Sequence, residues 1–254
     1  MVQHIDTGTP NLVASMDGPV GTIVLNNPDR HNAISGEMFA GFGDAAAAFS
    51  ANSDLRVVVM TGAGDRAFAS GADIGGLTDR TSRPSGLPAL AGLGLPIVAR
   101  IKGYCIGGGL MTALYADLRI ASDDALFGIP AAKLGVGYPL DATDMLVATV
   151  GEPRAKEILL VGERFGAERA HELGLLHNVV PAEELDATVD ALVATLAENA
   201  PLSMAASKAA IAAANGRLDA ANAQSAISAT FSSEDFAEGR AAFADRRTPG
   251  FVGR

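Results

Sequence analysis

Three things are scarce in this sequence, and each scarcity closes off a class of function. Its 254 residues include one cysteine, Cys105. No internal disulfide can form, and a lone thiol suits a reducing compartment. Positive charge is short: 19 Lys and Arg face 29 Asp and Glu, a formal net charge of −10, with a pI near 4.8. Such a chain is expected to bind neither nucleic acid nor an anionic membrane surface, so an anionic ligand needs a local site. Long apolar runs are also missing. No stretch is long enough to span a bilayer, and MVQHIDTGTP has no basic region followed by an apolar one. The expectation is a cytoplasmic protein. His4, His31, His171 and His177 contain no i, i+4 pair, so no metal site is expected.

What is present is a sizeable apolar fraction, 48%, enough for a substantial core. The chain is organised around residues 102–122, KGYCIGGGLMTALYADLRIAS. A strand-like run, PIVARI, leads into Gly107, Gly108 and Gly109, and a helical segment leaves them. A strand, a glycine turn and a helix start together expose unpaired backbone N–H groups at the positive end of a helix dipole. That suits developing negative charge. Glycine also lets a ligand approach the main chain. A second glycine cluster, residues 71–76, holds Ala72, Asp73 and Ile74 and reads either as another set of donors before a short helix or as a loop.

Elsewhere the pattern alternates. Residues 11–16 and 20–25 flank Asp17-Gly18 and predict a hairpin. Met38, Phe39, Phe42, Ala45, Ala46 and Phe49 predict one buried helix face, and LRVVVMT (55–61) a buried parallel strand. Short strands are predicted at 117–121, 125–128 and in HNVV, with helices starting near Pro139, at Pro153 and at Pro181. Ser232 with Asp235 reads as a capping box, flanked by a Phe231–Phe236 staple. Gly62-Ala63-Gly64-Asp65-Arg66-Ala67 fits a dinucleotide fingerprint, but glycine-broken FASGADIGG follows it where a helix is required. A nicotinamide enzyme is set aside on that ground. Past residue 182 the chain reads as helices only, which predicts two regions, 1–181 and 182–254.

The segments AFASGADIGGL (67–77), KGYCIGGGL (102–110), DLRIASDDALFGIPAAKLGVG (117–137) and SEDFAEGRAAFADRRTPGF (233–251), in that order, resemble the crotonase superfamily of enoyl-CoA hydratases and isomerases. The resemblance implies an α/β fold: a crotonase-like ββα spiral core with a C-terminal helical trimerisation region, assembling as a homotrimer or hexamer. It implies an acyl-CoA thioester as ligand, with coenzyme A as part of the substrate and no prosthetic group. The family's oxyanion donors match the backbone N–H groups of Ala72 and Gly108. Donors of this kind are worth about 3 to 4 kcal/mol each where removal has been measured. The coenzyme A end matches Arg30, His31 and Ala33 together with Ala72, Asp73, Ile74 and Gly75, beside Gly108.

Two departures bear on chemistry. Where the family's hydratases carry their two glutamates, this chain has Met111 and Ala131, and neither side chain transfers a proton. LGVGYPL is similar to the segment of methylmalonyl-CoA decarboxylase-type members that holds a functional tyrosine, matched here by Tyr138. Tyr138 and Asp141, about one helical turn further on, are therefore the candidate proton-handling groups. Decarboxylation, isomerisation and binding without turnover all remain open at this point, and simple hydration is in doubt.

Overall fold

A computed structural model describes residues 1–72 and 86–254. Among the described residues, eleven strands form two sheets. The hairpin forms as predicted: β1 (Gln3–Ile5), β2 (Leu12–Asp17) and β3 (Val20–Leu25) pair antiparallel, with Gly18 in the turn at φ 54°. From β3 the sheet continues in parallel through β4 (Val57–Gly62), β6 (Ile97–Ile101), β8 (Leu118–Ser122) and β11 (Asn178–Val180). The second sheet runs β10 (Arg164–Gly166), β9 (Leu126–Gly128), β7 (Tyr104–Ile106) and β5 (Ala67–Ala69).

Chain order explains this split. From β4 to β9 each successive strand joins the other sheet, so every pair of strands contributes one to each layer and the chain winds as a spiral. β-branched residues dominate β4 and β6, which lie buried between layers. α1 (Gly36–Ser50) starts where the Ser35 hydroxyl accepts from the Met38 N–H, and it buries the predicted stripe. Phe42 and Phe49 are fully buried, worth about 2 to 3 kcal/mol each by apolar burial. α2 (Leu87–Ala91) closes over α1.

The helices that follow the strands differ from expectation in three places. Between α4 (Leu140–Val150), α5 (Glu152–Lys156) and α6 (Ala167–Glu172), the segment Glu157–Val161 widens into a π turn that Gly162 ends. α7 (Leu185–Glu198) begins four residues after Pro181 and packs on the large sheet, with Leu185, Val189 and Val193 against Val57, Val98 and Ile120. α8 (Pro201–Ala214) and α9 (Ala220–Thr230) follow it. α10 (Glu234–Asp245) is capped by Ser233, not Ser232. The Phe231–Phe236 contact is present, ring centroids 5.6 Å apart. Asp235 turns inward instead and accepts from the Val252 and Gly253 N–H groups, fastening the final residues to α10. Among the described residues no helix is long and apolar enough to cross a membrane.

Candidate active site

β7 delivers the chain to Gly107, whose φ of 52° is a left-handed turn that favours glycine. The Gly107 N–H donates to the Gly128 carbonyl at the end of β9, which fixes the turn. α3 (Gly108–Leu114) starts at once, and its first amide, on Gly108, has no intrahelical acceptor. Opposite it, the chain just past β5 carries Gly71 and Ala72, and Ala72 makes an isolated bridge to Ile34. Ile34 donates to the Gly71 carbonyl at 2.8 Å, and Ser70 donates to the His31 carbonyl at 2.9 Å. The loop 26–35 is thereby stitched along residues 70–72.

These two segments nearly touch. A β-carbon on Gly108 would lie 2.9 Å from the Ala72 nitrogen. The two predicted donors are thus neighbours, and among the described residues neither amide has a hydrogen-bond acceptor. Both line a cavity of about 410 Å³. Its walls are Ile106, Met111, Ile129, Ala131, Leu134, Val136 and Tyr138. Among the described residues no carboxylate, imidazole or amine lines it; the protic side chains are Ser70 and Tyr138. The Ser70 hydroxyl is occupied, donating to the Arg30 carbonyl at 3.2 Å. Met111 and Ala131, the two positions that the resemblance matched to glutamates, both face this cavity.

The Tyr138 phenol donates to the Gly107 carbonyl at 3.3 Å. Burial pushes its pKa well above the ordinary phenol value, and the nearby Cys105, Asp141 and Tyr115 push the same way. The group is a proton donor at neutral pH and no base. Asp141 lies elsewhere. It sits in the first turn of α4, does not line the cavity, and accepts from the Tyr115 hydroxyl at 3.0 Å. Spacing alone put it one turn from Tyr138; the helix points it at α3 instead. Cys105 is fully buried, and burial raises its thiol far above the usual range, so it is chemically inert.

The coenzyme A candidates divide. Arg30, His31 and Ala33 lie together on the loop 26–35: Arg30 ends the short 3-10 turn Pro28–Arg30, and Ala33 donates to its carbonyl. The His31 ring stands edge-on to Tyr104, centroids 5.9 Å apart. Asp73, Ile74 and Gly75 lie outside the described residues. Sequence reasoning missed Asn32, which organises this loop. It is buried, sits at φ 56°, donates to the Ala63 and Ala67 carbonyls at 3.0 and 2.7 Å, and accepts from the Asn27 N–H. Its signal was chemical: asparagine tolerates the left-handed region better than other side chains. The dinucleotide-like Gly62–Ala67 run turns straight into β5, with no helix, and borders a separate groove with that loop.

The sequence profile described as enoyl-CoA hydratase/isomerase matches residues 16–254. A probable enoyl-CoA hydratase of Mycobacterium tuberculosis is 30% identical, over 96% of this chain and 98% of that protein. The (E)-benzylidenesuccinyl-CoA hydratase of Thauera aromatica is 34% identical, over 92% and 96%. The crystal structure of an enoyl-CoA hydratase/carnithine racemase from Magnetospirillum magneticum superposes with a TM-score of 0.91 at 31% identity, covering 97% of each chain.

Proposed function

The chain belongs to the enoyl-CoA hydratase/isomerase family, and from that premise we propose that it binds an acyl-CoA thioester and stabilises its enolate between the Ala72 and Gly108 amides. A thioester oxygen that gains charge is met by two preorganised donors, which act on the transition state more than on the ground state. The single observation that carries this reading is the pairing of those amides in a cavity whose described lining is mainly apolar. Arg30, His31 and Ala33 on the stitched loop, with Asp73, Ile74 and Gly75, would receive the coenzyme A end. Coenzyme A enters as part of the substrate.

Which bond breaks follows from what the walls supply. Hydration requires one group to take a proton from water and another to deliver one to the α carbon. Met111 and Ala131 can do neither. Loss of CO₂ from a malonyl-type thioester needs no base: the bond between the α carbon and the carboxylate breaks, its electron pair becomes the enolate, and CO₂ leaves. Tyr138 orients the carboxylate and then gives its phenol proton to the α carbon, recovering it from solvent. We therefore favour decarboxylation over hydration. Exposed Ile211, Phe231 and Phe243 on and beside α8 to α10 support a homotrimer or hexamer, and the lone buried thiol a cytoplasmic setting.

The test is to offer malonyl-type, 3-enoyl and crotonyl thioesters side by side in deuterated buffer. CO₂ release with deuterium at the α carbon is expected from the first, lost in Tyr138→Phe. Fast crotonyl-CoA hydration, or binding of every thioester without turnover, overturns this assignment.

A further inference from the structure

The Tyr138 ring packs against the core, but the backbone that carries it is lightly held. Residues 132–137 before it are exposed, as are Pro139 and Leu140 after it, and no regular element includes it. Its own hydrogen bond, to the Gly107 carbonyl at 3.3 Å, is long. A proton donor placed 1 Å out of position can cost about 100-fold in rate. The position of its hydroxyl then depends on what fixes the start of α4, two residues on.

Two contacts do so, and both reach α4 from other parts of the chain. Arg217, in the turn after α8, donates through Nε to the Asp144 carboxylate at 2.8 Å and through its other arm to the Asp144 carbonyl at 3.1 Å. The Tyr115 hydroxyl donates to Asp141 at 3.0 Å. Tyr115 is buried in the core and caps the C-terminal end of α3, the helix whose first residue is Gly108. The two ends of α3 are thus joined to one stretch of chain: Gly107 accepts from Tyr138, and Tyr115 donates to Asp141. The bracket is closed by two hydrogen bonds, with the amide donor and the phenol on the same rigid piece.

The geometry points to Tyr115 and Asp141 as a positioning pair that holds Tyr138 at the reacting carbon, with Asp141 accepting a hydrogen bond and moving no proton. This rests on the reading of Tyr138 as the proton-delivering group. It assigns Asp141 a different task from a base near the acyl chain, and it adds Tyr115, which no sequence motif marks.

The experiment compares Tyr115→Phe, Asp141→Ala, Asp141→Asn and Tyr138→Phe in the full chain with the thioester that the parent turns over. Tyr115→Phe and Asp141→Ala should lower kcat about 100-fold, the cost of a misplaced group, with KM unchanged because the thioester and coenzyme A contacts are untouched. Asp141→Asn should recover most of the turnover, since an amide oxygen accepts the same bond. Because the chain has three tyrosines, carbon-13 at Cζ gives three resonances. The Tyr138 resonance should move in Tyr115→Phe and stay in Asp141→Asn, in protein shown by those spectra to be folded. If Asp141→Asn is as inactive as Asp141→Ala, Asp141 carries the proton and the positioning role is overturned. Unchanged kcat in Tyr115→Phe, where Tyr138→Phe is inactive, overturns it too. Full turnover in Tyr138→Phe instead removes the underlying reading of Tyr138, an outcome distinct from either.

Discussion

Gly109 rests on the backbone of Ala69: a β-carbon added to the glycine would stand 2.2 Å from the alanine's carbonyl oxygen. Backbone cannot yield as a flexible side chain can, so Gly109→Ala must push α3 away from β5. We expect a stability loss of about 1 to 3 kcal/mol, the range for overpacking a dense core, read by urea denaturation. Turnover should fall further than stability, because α3 carries the Gly108 amide.

Gly108 separates donor from scaffold. Gly108→Pro deletes the N–H, and Gly108→Ala sets a methyl against the Ala72 nitrogen. Each should reduce kcat by about 100- to 1,000-fold, the loss seen when one oxyanion donor is removed, with circular dichroism unchanged. Parent-like kcat in Gly108→Pro would contradict the assignment of that amide.

Carboxylates introduced at residues 111 and 131 test the proposal that hydration is weak. Met111 and Ala131 both line the cavity, so Met111→Glu combined with Ala131→Glu places two acids where water must be activated. Crotonyl-CoA hydration should rise by about 100-fold or more, the scale of general acid–base catalysis. Either single variant should gain far less, because addition of water needs a proton taken and a proton given.

Asn32→Ala removes the side chain that ties the loop 26–35 to Ala63 and Ala67. It leaves buried carbonyls without donors and puts alanine at φ 56°. The expected cost is about 2 to 4 kcal/mol, from unsatisfied buried groups and a left-handed backbone. Thioester KM should rise more than kcat falls, because Arg30 and His31 ride on that loop.

The C-terminal segment should respond to acid. Arg247 donates to Glu238, and the Gly250 N–H adds a second bond; together they hold the carboxyl at about 2, below the ordinary 4.5. A lowered folded-state pKa gives stability that is present above pH 4.5 and lost as pH falls towards 2. The gap in thermal midpoint between the parent and Glu238→Gln should therefore be open above pH 4.5 and close on the way to pH 2. A gap of constant size across that range would rule the contact out.

How much was legible depended on distance along the chain. The hairpin at Asp17-Gly18, the buried face of α1 and the donor turn at Gly107 to Gly109 are local patterns, and all three appear as read. Ser233 in place of Ser232 is a one-residue slip between adjacent serines of equal capping ability. Asp141 shows the limit more sharply. Its spacing from Tyr138 was right, yet its direction depends on Tyr115, 26 residues earlier, and periodicity carries no record of such a pairing. Asn32 was hidden for the same reason: its partners lie 31 and 35 residues away.

The division of labour within α3 has an evolutionary consequence. The amide at its first residue, Gly108, is main chain, so it survives substitution of neighbouring side chains. Position 111, one turn later on the same wall, holds a side chain whose replacement changes what protons can do there. Selection can therefore change the side chains at residues such as 111 and 131 without rebuilding the main-chain amides of the cavity.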